Sequence, residues 1–283
     1  MPLAPVKLEH SVRTTMASLL ITLALVVVVC VYLSGCYRLR NAISRLLPVW
    51  RLAAFASGLL ALWAVVASPL ADMDHHLLTA HMAQHLLLMT VSAPLILLGA
   101  PVIVLLTGLP KPLARFVSGP LLGYSPVQTL GRMLTHPLFC WFAGTATVIA
   151  WHIPALFELG MRSAQWHEVE QGCFFAAGIL FWWPVVQPWP SLAPWSTWGV
   201  PLYLFLATIP CDVLSAFLTL CGRVVYPHYS SAHRLLNISP LGDQECAGAL
   251  MWVWVTFVYL APAAAVTIRT LSPQRRGLNA EAV

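Results

Sequence analysis

The sequence predicts an all-α, polytopic membrane bundle of about seven transmembrane helices, forming one domain over residues 1–283. Three observations carry that prediction. Hydrophobic residues make up 59% of the chain and charged residues only 9%, whereas soluble domains carry about 25% charged residues. Mean hydropathy is +0.78, so the solvent for most of the chain is lipid. Apolar runs recur at the length of about 20 residues that a bilayer core of about 30 Å demands. A soluble enzyme, a disordered chain and a nucleic-acid-binding domain are excluded as main readings. The net charge of +5 therefore informs through its placement rather than its size.

The spans follow in order. The first, residues 15–34, holds LLITLALVVVVCVYL. It is too long, and too poor in a small-residue cleavage site, for a signal peptide. The second covers residues 52–70. The third, residues 77–106, is overlong for one straight helix. Pro94 and the Gly99-Ala100-Pro101 step should kink or break it, because proline removes a helical donor and clashes with the preceding turn. The fourth covers 138–152 and is short but extendable; the fifth covers 172–189, the sixth 200–221 and the seventh 248–268. Trp182, Trp183, Trp189, Trp195 and Trp198 gather near one end of the fifth and sixth spans, as an interfacial aromatic belt would. Seven cysteines without a CxxC pair give neither a disulfide framework nor a zinc ribbon.

With seven spans, five lysines and arginines fall on the side of the N-terminus and ten on the side of the C-terminus. The positive-inside rule then places the N-terminus outside and the C-terminus in the cytoplasm. On that topology nine of ten histidines lie on the outer face: His10, His75, His76, His81, His85, His152, His167, His228 and His233, leaving only His136 inside. Scattered structural histidines rarely segregate so far.

The stretch Asp72 to His85 is the strongest candidate for chemistry. His81 and His85 are spaced i,i+4 and share a helix face. At about 100° per residue, Asp74, His81, Met82, His85, Met89 and Ser92 form one stripe entering the bilayer from the outer surface. Neutral imidazole with soft thioether suits copper, Cu(I) above all; zinc or haem would also accept the histidines. The competing structural reading is that the imidazoles make interhelical hydrogen bonds and the methionines pack. His152, one residue from Ile153-Pro154, closes the fourth span at the same level, and His167 precedes the fifth beside Glu168, Glu170 and Gln171. The expected metal ligands are His81, His85, His152 and His167. Accessory candidates are His76, Met82, Met89, Gln171, Asp212 and Asp243. Asp212 lies inside the sixth span, where a carboxylate is a functional candidate or an interhelical hydrogen-bond partner. Asp243 is placed to cap the seventh helix or to orient a liganding imidazole.

The motifs His81-Met82-Ala83-Gln84-His85, Pro94, Gly99 with Pro101, His136-Pro137, Trp151-His152-Ile153-Pro154, His167, Phe181-Trp182-Trp183-Pro184 and Asp243-Gln244 together resemble those of the CtaG-type cytochrome c oxidase assembly factors. This is the membrane family associated with caa-type oxidases, distinct from the similarly named single-span copper chaperone. The resemblance runs from about Ala53 to Phe257. It implies a non-enzymatic protein of the cytoplasmic (inner) membrane that assists assembly of a haem-copper oxidase by transient copper delivery or insertion. Its partners would be oxidase subunits or other assembly factors within the lipid bilayer. A haem-binding membrane redox protein and a copper transporter are the alternatives. Where the family usually carries a second histidine four residues after His167, this chain has Gln171. If that histidine is a ligand in relatives, the site here is weaker or is completed differently, by Glu170, His152 or a residue of the loop between spans six and seven.

Overall fold

A computed structural model describes residues 4–40, 48–68, 71–123, 125–188, 198–231 and 237–272, with backbone only for 4–15, 120–122 and 231. His233, Arg234, Trp189, Trp195, Arg45, Arg275 and Arg276 lie outside the described residues, as does the side chain of His10. The helices are α1 (Ala4–Leu39), α2 (Val49–Val66), α3 (Leu78–Leu98), α4 (Pro101–Gly108), α5 (Lys111–Gly123), α6 (Ser125–Leu134), α7 (Pro137–His152), α8 (Pro154–Arg162), α9 (Ala164–Val186), α10 (Gly199–Leu220), α11 (His228–Ser231) and α12 (Pro240–Leu271). A 3₁₀ turn, Ala71–His75, precedes α3, and no strand occurs among the described residues. Six helices are long and apolar enough to cross a bilayer, and a seventh span arises if α6 and α7, bent by 59°, count as one.

The third span departs from a straight helix where its sequence demands it. A proline ring clashes with the carbonyl of the residue four earlier and offers no donor. Ahead of Pro94 the helix widens into a π turn over Leu87–Ser92, where the Ala93 amide bonds to Leu88 O, five residues back. Met89 O then has neither Ala93 N nor a proline N–H to accept from. The buried indole of Trp182 donates to it instead, at 3.0 Å. At the Gly99-Ala100-Pro101 step Ala100 adopts φ 50°, ψ 51°, which ends α3 and starts α4 in a new direction. The expected 77–106 span is thus α3 plus a separate short helix packed on α1. Arg38 Nη1 donates to Thr107 O (2.7 Å) and Leu109 O (2.9 Å), satisfying carbonyls at the end of α4.

Three further expectations need correction. Trp182 is buried in the core and hydrogen-bonded to α3, not part of an interfacial belt. The fifth span begins at Ala164 rather than Gly172, and the seventh at Pro240 rather than Gly248. Hydropathy alone cut off these first turns because they carry His167, Glu170, Gln171, Asp243 and Gln244. All five are buried, facing protein rather than lipid.

Helix α9 crosses the π turn at Gly178, where an added Cβ would stand 2.9 Å from both Met89 Cα and Met89 O. Backbone on the far side cannot yield as a side chain would. Gly178→Ala is expected to cost about 1–3 kcal/mol, as overpacking does, read as a lowered unfolding temperature in detergent.

Candidate metal centre

One end of the bundle gathers the start of α3, the end of α7, the starts of α9 and α12, the helix α8 and the segment around α11. Asp243, in the first turn of α12, caps α3 rather than its own helix, which is capped by Ser239 Oγ. Its carboxylate accepts from Leu78 N (2.6 Å), Thr79 N (3.1 Å) and Thr79 Oγ1 (2.6 Å), holding the start of the histidine-bearing helix at its positive end. Gln244 beside it donates to Leu218 O and Arg223 O and accepts from Val225 N, fixing the chain after α10. That chain delivers two buried tyrosines. Tyr226 donates to His152 O (3.1 Å) and Tyr229 to Asp74 O (2.6 Å), pinning the end of α7 and the 3₁₀ turn. Burial pushes both phenols well above their ordinary range, so they remain donors.

Within this frame His81, His85, His167, Asp74 and Glu170 converge, all buried. Glu170 Oε1 lies 3.5 Å from His81 Nε2 and 3.6 Å from His85 Nε2, and its Oε2 lies 3.4 Å from His167 Nδ1. His167 Nε2 meets Asp74 Oδ2 at 2.7 Å, and Gln171 Nε2 approaches the same nitrogen at 3.0 Å. Two overlapping groups have spacings fit for a metal ion: Asp74 with His81 and His167, and His81 with His85 and Glu170. Asp74 sits in the turn outside the spans. Burial raises its carboxyl, but the His167 hydrogen bond and the charges of His167, His75 and His81 outweigh that and hold it below the ordinary carboxylate range.

The fit to a cation rests on two further observations. Among the described residues the ring nitrogens of His81 and His85 and the oxygens of Glu170, all buried, have no partner beyond the long contacts of 3.4–3.6 Å to one another and to His167. Buried polar atoms are normally satisfied, and each orphan costs about 1–3 kcal/mol. With neutral imidazoles the five residues carry two negative charges, which a bound cation or protons on the imidazoles must balance in a buried site. A cleft of about 390 Å³, lined mostly by apolar residues but also by Asp72, Asp74, His75, His167, Glu168 and Gln171, opens beside the cluster.

Of the four expected ligands, His81, His85 and His167 come together, while His152 belongs to neither group. Its Nδ1 lies 2.7 Å from Val148 O and its Nε2 3.2 Å from Met82 Sδ. Met82 and Met89 line a cavity with His85 and His152. The single stripe expected from Asp74 to Ser92 is resolved into separate faces. Leu77 is extended, which detaches Asp74 from the helix, and the π turn rotates Ser92 onto Gly58 O at 2.9 Å. His76, Gln171, Asp212 and Asp243 supply no atom to either group, and Asp212 stands half-buried on α10. Neither Asp74 nor Glu170 was among the four expected ligands, although Asp74 lay in the expected stripe and Glu170 was one of the residues that could complete the site. Glu170 was legible as i+3 from His167; Asp74 reaches His167 only through the tertiary fold.

Gly160 of α8 lets Glu170 sit where it does, since an added Cβ would stand 2.7 Å from Oε2. Gly160→Ala is expected to push the carboxylate aside with little effect on the fold and to weaken metal binding about tenfold, the scale of loss when a supporting group is altered. Metal titration of the purified variant checks it.

Fold and cluster together define a multi-pass helical membrane protein with a buried histidine–carboxylate centre at one end of its bundle. The sequence profile of the cytochrome c oxidase caa3 assembly factors (Caa3_CtaG) matches residues 30–272. The chain belongs to that family. A Mycobacterium leprae (strain TN) protein, named as uncharacterized protein ML1998, is similar to it, with 26% identity over 227 residues. The match covers 78% of this chain but 34% of that relative, so the chain spans about a third of the relative's length. No solved structure matches the chain.

Proposed function

We propose that this protein assists assembly of a haem-copper oxidase by holding a copper cation transiently among Asp74, His81, His85, His167 and Glu170 and passing it to an oxidase subunit or another assembly factor. Copper here is cargo, and the role is carriage rather than catalysis. The observation that carries the reading is the pair of buried imidazoles facing a buried carboxylate at 3.5–3.6 Å, too long to satisfy them well and spaced to share a cation. Imidazole nitrogen suits copper, and the two carboxylates supply the charge that makes loading favourable in a site shielded from water. A haem pair requires two imidazoles facing each other across a macrocycle, whereas His81 and His85 stand on one helix face with ring centres 4.3 Å apart. The asymmetry of lysine and arginine supports putting the centre on the outer face of the cytoplasmic membrane, where extracytoplasmic copper arrives.

The test is a His81→Ala, His85→Ala double variant expressed in place of the native chain. It is expected to reach the membrane in normal amount while oxidase activity and oxidase copper content fall together. Normal oxidase copper in that strain would overturn the proposal.

A further inference from the structure

We propose a second metal position in the cavity between α3, α7, α10 and α12, selective for a soft monovalent cation of the Cu(I) type and built around Met82 and His152. The proposal deepens the assembly-factor reading and rests on it only for the identity of the cargo.

The geometry starts with a carbonyl. His152 Nδ1 lies 2.7 Å from Val148 O, which can only accept, so Nδ1 carries the proton. In the neutral imidazole Nε2 then presents its lone pair, and what it faces is the thioether of Met82 at 3.2 Å. Sulfur there is also a lone-pair donor. Two buried donors pointed at one another gain nothing mutually, but both gain from a soft cation bound to the pair. With bonds of about 2.0 Å to nitrogen and about 2.3 Å to sulfur, a near-tetrahedral angle separates the two atoms by about 3.5 Å, a small adjustment from the distance observed.

The surroundings select the cation. Met89, Met251 and Cys211 line the same cavity, and among the described residues no carboxylate does. Thioether, thiol and imidazole favour Cu(I), whereas a divalent ion would find no charge to balance it. The cavity has room of about 30 Å³, against about 10–15 Å³ for one water. It takes an ion rather than an organic ligand. His85 joins the two positions, since it lines this cavity while its Nε2 stands 3.6 Å from Glu170 Oε1. A Cu(I) ion can therefore pass between them by exchange of ligands, with no change of oxidation state.

The experiment loads the purified full-length chain with Cu(I) under reducing conditions and measures copper per chain together with X-ray absorption at the copper edge. The wild type is expected to bind two equivalents, with sulfur in the copper shell. Met82→Leu, which conserves volume, should lose one equivalent and most of the sulfur signal. Glu170→Gln should lose the other equivalent and keep the sulfur signal. Copper without sulfur neighbours in the wild type, a reading that needs no variant, overturns the second position. So does a sulfur signal unchanged by Met82→Leu. Sulfur-bound copper in the wild type with no equivalent lost in Glu170→Gln would uphold the second position while sinking the histidine–carboxylate centre.

Discussion

Glu170→Gln is expected to lower the copper affinity of the histidine–carboxylate centre by about 100-fold or more and to reduce oxidase assembly in cells in parallel. The substitution keeps the volume and the helix but removes one of two buried negative charges. Changing only a partner of a metal ligand costs about 10–100-fold, and Glu170 reaches all three imidazoles of the cluster at 3.4–3.6 Å. Glutamine also turns an acceptor into a partial donor, so one imidazole lone pair would be occupied by a hydrogen bond rather than left for a cation. The matched control is Glu168→Gln, two residues away and exposed, which is expected to bind copper as the wild type does. Competition titration with a Cu(I) chelator measures both. Equal affinities in the two variants would remove Glu170 from the site.

Asp243→Ala is expected to destabilise the bundle by about 2–3 kcal/mol and to weaken metal binding as a consequence. A carboxylate accepting several bonds at a helix start contributes more than an ordinary cap, because hydrogen bonds to charged groups are worth about 1.5–3 kcal/mol and caps about 0.5–2. Here the bonds run between helices, from Leu78 N, Thr79 N and Thr79 Oγ1 to α12. Their loss frees the turn immediately before His81. Asp243→Asn, which keeps one acceptor oxygen, should recover part of the stability. Thermal unfolding in detergent reads the first effect and metal titration the second; an unchanged unfolding temperature in Asp243→Ala would show that water replaces the cap without cost.

The membrane bundle was legible because lipid imposes length and apolarity on every span, and those are visible in one dimension. Pro94 and the Gly99-Ala100-Pro101 step likewise announced where α3 would deviate, though not that the first would widen the helix and only the second break it. What hydropathy hid was the start of α9 and of α12. There the polar residues face a protein interior, and an apolar filter cannot distinguish that from water. His81 and His85 stood out by spacing. Glu170 did not, because Glu168 beside it is equally acidic and only packing tells the buried one from the exposed one. Asp74 was visible only as part of a stripe; its contact with His167, and that of Gly160 with Glu170, were beyond sequence reasoning because each joins two different elements.

The π turn over Leu87–Ser92 has a consequence for how α3 tolerates changes of length. Upstream of it, the helix aims His81 and His85 at Glu170; downstream, it seats Ser92 against Gly58. The wide turn takes up one extra residue so that both halves point correctly, like two gears keyed at different angles on one shaft. Closing the turn to ordinary α pitch with every residue kept would swing one half about 100° against the other, whereas deleting a single residue there would give a plain α-helix with both halves still aimed as they are. The turn is thus where α3 can lose a residue and keep its histidine end aimed, and where closure to regular pitch at full length would misalign that end while leaving composition, hydropathy and span length untouched.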